Sequence, residues 1–363
     1  MKFYKKILKP ILFKFHPDYV HIVIVKLGKI LGHWALGRMI LRKFFFYENK
    51  RLTQNIFGYE FKNPIGIGGG FDKNADLIKT LPACGFGFVE IGSVTARAYK
   101  GNKRPWSVRL PEDQSLIVNY GLKNIGADKI AQKIRNNGRS VPLIINIAKT
   151  NDITIKGNYS IADYVYSFQK LQEKADIINL NISCPNTGDG VLFCESPELL
   201  DKLFLALSKI EISKPILLKL KPDIDDNTLY KICDLAEKYL FIKGFIISNL
   251  TVHRENLIHT SLGSIEKFRG GISGTPVKDL SNDMISKVYK YTNGKFIIIG
   301  LGGVFNAKDA YEKISLGANL VEIVTGLIYE GPSVVKSINK GLIELLEVDG
   351  FTNIADAIGC KNK

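Results

Sequence analysis

Residues 176–188 read D-I-I-N-L-N-I-S-C-P-N-T-G. Ile178, Leu180 and Ile182 alternate with Asn179, Asn181 and Ser183, which is the two-residue period of a strand. Pro185 has no N–H to give a ladder and ends the run. Buried amides need hydrogen-bonding partners, so a strand carrying Asn179 and Asn181 on one face predicts a polar ligand beside it. Cys184, at the strand end, has the chemistry of a nucleophile or a base. A small buried thiol beside a turn is the other reading of that residue. Lys219 closes a second apolar run, Ile216-Leu217-Leu218. An interior lysine predicts negative charge facing it, such as a phosphate or an electron-rich ring. Lys73 beside Asp72 is less diagnostic, because loop pairs of this kind are common on surfaces.

The elements that hold these residues follow from a repeated pattern. Short apolar runs, each closed by Gly, Asn, Lys or Ser, occur at 64–68, 88–92, 143–147, 177–182, 216–220, 244–248, 296–300 and 320–325. Helical patterns at 197–210, 226–239, 284–291 and 307–316 fall between them. Eight buried strands alternating with helices predict an α/β fold: a parallel (β/α)8 TIM barrel with an N-terminal helical extension. The active site of such a barrel forms at the carboxyl ends of the strands. Those ends carry G-G-F-D-K at 69–73, Ser93, Asn146, Asn181 with Cys184 and Asn186, Lys219, Ser248 with Asn249, Gly302-Gly303 and Thr325-Gly326. The glycines after the first strand make a weak dinucleotide fingerprint, since Asp72-Lys73 interrupts the helix start. Gly302-Gly303 and Thr325-Gly326 match the place where barrels bind phosphate. His16, His21, His33, His253 and His259 are scattered, so no metal site is expected. Residues 97–124 are long enough to add a hairpin over the barrel mouth.

Five cysteines without a C-x-x-C pair argue against a disulfide framework and for a reducing compartment. The net charge of +15 is concentrated in residues 1–51, where twelve Lys or Arg face only Asp18 and Glu48. Nucleic acid and an anionic membrane surface are the two partners such a segment suits. Pro17-Asp18 predicts a helix start, and Gly28 and Gly32 predict its end or turn. Lys14, Lys26, Lys29 and Arg38 keep every apolar run short of the ~18–20 residues that span a bilayer. No signal peptide is expected, as no small-residue cleavage site follows. What remains is a pair of amphipathic helices with a basic rim, lying in an interface or packed as an arm on the barrel. The chain then divides into a membrane-associating extension (1–51), a catalytic barrel (52–345) and a C-terminal tail (346–363).

Taken together, the motifs resemble those of the dihydroorotate dehydrogenases. They are N-P-I-G-I-G-G-G-F-D-K at 63–73, F-V-E-I-G-S-V-T at 88–95, R-L-P-E-D-Q at 109–114, I-N-I at 145–147, N-I-S-C-P-N-T at 181–187, G-G-I-S-G at 270–274 and G-L-G-G-V at 300–304. H-P-D-Y-V-H at 16–21 is similar to the quinone-dependent, membrane-associated class 2 members. The resemblance implies oxidation of dihydroorotate to orotate in pyrimidine synthesis, with FMN as hydride acceptor and a membrane quinone as final acceptor. Cys184 would be the catalytic base. Lys73, Asn119, Tyr120, Gly121, Leu122, Asn181, Asn186, Asn249 and Leu250 would hold the substrate. Gly69, Gly70, Phe71, Asp72, Lys73, Ser93, Asn146, Asn181, Lys219, Ser248, Gly274, Gly303, Val324 and Thr325 would hold FMN. Arg109 and His21 would lie on the quinone side. The location implied is peripheral, on the cytoplasmic face of the inner (cell) membrane, with no nucleic acid and no metal as partner.

Four positions depart from the class 2 pattern. Cys184 stands where Ser is usual, Val118 where an orotate-binding Asn is usual unless Asn119 takes its place, Leu250 where Thr is usual, and Val324 where Tyr is frequent. The first is chemically benign, since a thiol titrates near ~8.5 and is the easier base. A tRNA-dihydrouridine synthase is a rival flavin barrel, but its Gly-Cys-Pro is replaced here by Ser183-Cys184-Pro185 and its basic domain would be C-terminal. A flavin-binding membrane-surface protein that has lost turnover through Val118 and Leu250 is the non-enzyme reading.

Overall fold

The computed structural model describes residues 3–135, 138–184 and 193–362. The eight apolar runs are eight strands: β1 (Ile65–Asp72), β2 (Phe88–Val94), β3 (Leu143–Ile147), β4 (Ile177–Asn181), β5 (Ile216–Leu220), β6 (Ile242–Ile247), β7 (Ile297–Leu301) and β8 (Leu320–Ile323). They pair in parallel in sequence order, and β8 closes the ring on β1 with Val321 opposite Ile65. Outward residues such as Ile145, Ile178 and Leu218 pack under the surrounding helices. Both faces are therefore buried, and the strands read as near-continuous apolar runs.

The barrel interior is layered. At its amino-terminal end Phe88, Ile144, Ile177, Leu217, Ile246, Ile299 and Leu320 form an apolar plug with Ile56 and Phe61. The last two come from a hairpin, Gln54–Ile56 with Tyr59–Phe61, that stoppers the barrel. On β1 the plug residue is Gly66, where a Cβ would stand 2.3 Å from the Phe88 ring. Side chains two positions on share the same face, and there the lining turns polar: Glu90, Asn146, Asn179, Lys219 and Glu322, all buried.

The expected hairpin is present. Ser107–Leu110 pairs antiparallel with Ser115–Val118, and Gly271–Gly274 adds a third strand that was legible only as a motif. The helix Val334–Val348 runs through residue 346, and Ile354 and Ala357 beyond it are fully buried.

The extension begins with a helical turn, Tyr4–Leu8, that runs into α1 (Lys9–Phe13), followed by α2 (Pro17–His33) and α3 (Ala35–Phe45). The last two meet at 110°. Asp18 explains why α2 sits where it does. It is fully buried, and its carboxylate accepts from Trp106 N at 2.9 Å and Ser107 Oγ at 2.8 Å, tying the helix start to the cap hairpin. Gly28 and Gly32 do not end the helix, which continues to His33. They lie one turn apart on the face that meets the barrel. Thr80 Oγ1 donates to Gly28 O at 2.7 Å, and a Cβ on Gly32 would lie 2.1 Å from Thr80 Oγ1. Close approach, rather than termination, requires glycine there. Tyr4 donates to Ile328 O at 2.6 Å and Lys5 pairs with Glu330 at 2.5 Å, so the first turn docks beside the helix after β8.

One buried charge in the helical layer gives a clear pH expectation. Lys313 is fully buried and donates to Ser281 Oγ at 2.9 Å and Asn282 Oδ1 at 2.8 Å. Burial depresses its pKa to about 7. Between about 7 and the ordinary ~10.4, the unfolded chain binds a proton that the folded chain does not, so stability rises with pH across that window. Lys313→Met should therefore raise stability at pH 7 by on the order of a few kcal/mol and flatten the dependence up to pH ~10. Thermal melts of both proteins at the two pH values check this.

Candidate functional site

The polar layer is organised around Glu90. Lys219 Nζ donates to its carboxylate at 3.1 Å and Asn146 Nδ2 at 2.7 Å, and the Asn179 amide and the Gly69 N–H donate as well. Burial alone would raise the Glu90 pKa, but the Lys219 charge and these bonds bring it below the usual value. Burial likewise opposes charge on Lys219, and the Glu90 carboxylate overcomes it, so the ammonium is held above its ordinary pKa. The negative charge expected opposite Lys219 is thus already present in the protein.

Above this layer the strand ends form a polar rim. Asn181 Nδ2 donates to Ser93 Oγ at 2.9 Å, and Asn249 Nδ2 donates to Asn181 Oδ1 and Ser183 Oγ, both at 3.2 Å. Ser183 Oγ donates to Lys219 O at 2.7 Å and locks the end of β4 onto β5. Cys184 follows, half-buried and facing the cavity that opens here. Lys73 Nζ lies 3.5 Å from His21 Nε2 and 3.8 Å from the centre of the Tyr120 ring. Burial, against the pull of Asp72, lowers the Lys73 pKa to about 7. His21 packs edge-on against Phe71 and Tyr120. Its burial, then the Lys73 charge, holds its imidazole well below its usual pKa and hence neutral.

A cavity of about 550 Å³ connects these groups. Its deep end is lined by Gly69, Gly70, Ser93, Lys219, Ser248, Gly274, Gly303, Val324 and Thr325, and its middle by Phe71, Lys73, Tyr120, Gly121, Leu122, Cys184, Asn249 and Leu250. From there it passes His21 and Arg109 and runs between the helices of the extension, past Leu12, Val20, Leu27 and Phe45. Arg109 donates to Phe15 O at 2.7 Å and lies over the Phe13 ring at 4.5 Å, bracing α1 against the cap.

Two of the expected residues, Asp72 and Asn119, lie elsewhere. The Asp72 carboxylate accepts from Asp76 N and Leu77 N at 2.8 and 2.7 Å, so it shapes the turn after β1 and does not face the cavity. Asn119 does not take the place of Val118: Val118 lines the cavity, whereas Asn119 accepts from Asn102 Nδ2 at 2.8 Å and lines a separate outer pocket. Asn186 lies outside the described residues. Asn146 and Asn181 belong to the buried floor and rim through Glu90 and Ser93. Glu90, Glu322 and Asp18 were not anticipated. The available signal was an acid inside an apolar run, which is unfavourable without a paired partner.

The cavity fits a flavin mononucleotide. In the polar layer around Glu90, next to the cavity-lining Gly69 and Lys219, two buried amide oxygens, Asn146 Oδ1 and Asn179 Oδ1, have no protein donor. Its wall is glycine where bulk is excluded: a Cβ on Gly69 would come within 2.9 Å of the Glu90 carboxyl, and one on Gly274 within 2.2 Å of Gln114 O. The loops after β7 and β8 touch through backbone, with the Gly326 Cβ position 2.1 Å from Val304 O, at the place where barrels of this kind commonly bind phosphate.

Fold and site together define a (β/α)8 barrel with a deep polar pocket that continues into an apolar passage beneath a helical cap. The sequence profile of the family described as Dihydroorotate dehydrogenase matches residues 51–346, and the chain belongs to that family. Curated relatives named Dihydroorotate dehydrogenase (quinone) include those of Trichodesmium erythraeum, 34% identical over 100% of both chains, and Natronomonas pharaonis, 36% identical over 98% of both. Among solved structures, the chain resembles DHODH from Eimeria tenella in complex with ferulenol, with a TM-score of 0.83, 28% identity and 96% of each chain covered. The ligand-free form from the same organism gives 0.80, with 29% identity over 93% of this chain and 99% of that one.

Proposed function

We propose that the chain oxidises dihydroorotate to orotate in pyrimidine synthesis and passes the electrons to a membrane quinone. The observation that carries this reading is the single cavity that joins Cys184 and Lys219 to the space between α2 and α3. FMN, when bound, supplies the two-electron acceptor. Gly69, Gly70, Gly274, Gly303 and Thr325 would hold it, with Lys219 at the ring. Cys184 takes the proton from carbon 5 of the substrate, the work of a positioned general base. Lys73, Asn181 and Asn249 orient the substrate through charge and amide bonds. Val118 and Leu250 contribute only apolar surface, so orotate affinity rests on those three.

Exposed apolar side chains support a membrane-bound extension. Ile11, Val23, Ile30, Met39 and Phe44 face outward on its three helices, and Phe15 and Trp34 are exposed in the turns between them. Among the described residues, no single helix is long and apolar enough to cross a bilayer. Lys14, Lys26, Lys43 and Arg42 stand among these apolar groups, and each Lys or Arg near an anionic surface adds about 1 kcal/mol. The extension then lies on the cytoplasmic face of the inner membrane and draws quinone from it. Purified full-length protein given dihydroorotate and one of quinone, fumarate or NAD tests the whole reading. Orotate forms with quinone. Turnover with fumarate or NAD alone would reject the quinone assignment, and none with any acceptor would reject the enzyme.

A further inference from the structure

Glu322, on β8, belongs to the same buried layer as Glu90 and Lys219, all three at most 3% exposed, and with Lys219 it borders the deep end of the cavity. Glu90 takes every donor available: Lys219, Asn146, Asn179 and the Gly69 N–H. Neither oxygen of Glu322 accepts a bond from an N–H or hydroxyl group. The neighbours of Glu322 on β1 and β7, Gly68 and Leu301, bring no charge. On β2 and β5 stand Glu90 and Lys219, and the Cys184 thiol beyond β4 adds an acid within reach of Lys219. Two ionised carboxylates against one ammonium would leave a net negative charge in a medium where each uncompensated charge costs several kcal/mol, about the worth of a well-formed buried pair. One proton removes it.

We propose that Glu322 is a neutral carboxylic acid in the resting protein, donating its proton to Glu90, and that it thereby sets how much positive charge Lys219 presents to the flavin pocket. It is a positioning residue, acting through Glu90 and Lys219. Burial, then the Glu90 charge and the shared hydrogen bond, push its carboxyl well above the usual carboxylate range. If Glu322 ionised, the layer beneath the pocket would carry a net negative charge and make the flavin harder to reduce. The flavin part of the proposal rests on reading the cavity as an FMN site, whereas the protonation part does not.

Glu322→Gln keeps the shape and the hydrogen-bond donor, so it is the informative variant. Three readouts on the purified full-length protein decide the matter. The infrared carbonyl band of a buried neutral carboxylic acid should be present in the wild type and lost in E322Q. It should also be lost in Glu90→Gln, where Glu322 becomes the sole counter-ion of Lys219 and ionises. The pKa of Glu322 is raised by folding, so the stability it contributes is present below the ordinary ~4.3 and lost as pH rises towards the folded value. The thermal midpoint of E322Q should therefore gain on the wild type as pH rises. The flavin midpoint potential of the wild type should fall with an extra slope at alkaline pH, and that extra slope should vanish in E322Q. A band that survives in E322Q, or melts that stay parallel, would overturn the protonation. Equal potentials at every pH would overturn the tuning. A chain that binds no flavin would overturn the pocket reading and the tuning with it, while the band and melts still decide the protonation.

Discussion

Cys184→Ala should slow reduction of the bound flavin by dihydroorotate by ~10²-fold or more, the usual scale for a positioned general base. The side chain sits where β4 ends, half-buried on the cavity wall. Substrate affinity should change far less, because in the proposed function Lys73, Asn181 and Asn249 hold the substrate. The interlocked bonds among Asn181, Ser183 and Asn249 hold the strand end independently of the thiol, so the variant should fold. Cys184→Ser should fall between the two, since a hydroxyl can take the proton only with help from a second base. Anaerobic stopped flow at the flavin absorbance reads the rate, and an unaltered rate in the alanine variant would remove Cys184 from the mechanism.

Lys219→Met should lower stability by about 3–5 kcal/mol, the range for breaking one side of a buried pair. Glu90 would lose the ammonium 3.1 Å away and keep no cationic partner in the layer. At present the lowered pKa of Glu90 contributes stability that is present above the unfolded value and lost as pH falls. Without Lys219 the sign should reverse: burial would raise the Glu90 pKa, and stability would fall as pH rises. Lys219→Met combined with Glu90→Gln should recover most of the loss. Denaturant unfolding at pH 5 and pH 8 separates these outcomes. A single variant as stable as the wild type would show that the pair is not what holds the layer together.

The barrel was legible because its strands are buried on both faces and bounded by residues that break them. The runs at 143–147 and 216–220 coincide with β3 and β5. The interior layering was harder to read. Phe88 and Glu90, or Leu320 and Glu322, share a face two residues apart, yet an acid inside an apolar run looks like an interruption until its partner on another strand is known. Lys219 was read correctly as needing a negative charge, but Glu90 lies three strands and 129 residues back along the chain and no local pattern links the two. Hairpin register decided another position: pairing of Val118 with Ser107 and Gly271 turns Val118 to the cavity and Asn119 to the outer pocket, and one residue of slip would exchange them. Gly28 and Gly32 were read as terminators because glycine usually weakens a helix. Their cause, contact with Thr80, is tertiary.

In the proposed function one cavity carries flavin and substrate chemistry in its deep end and middle and quinone access through the extension. Val20, half-buried on the passage wall between the two, can be enlarged without touching the deep end. The most direct test measures the two half-reactions of Val20→Trp separately. Flavin bleaching by dihydroorotate should proceed at the wild-type rate, reoxidation by a long-tailed quinone should be strongly slowed, and reoxidation by a small soluble acceptor should be unchanged. Reoxidation by the long-tailed quinone at the wild-type rate would contradict the account, because the quinone would then be reaching the flavin by some other route.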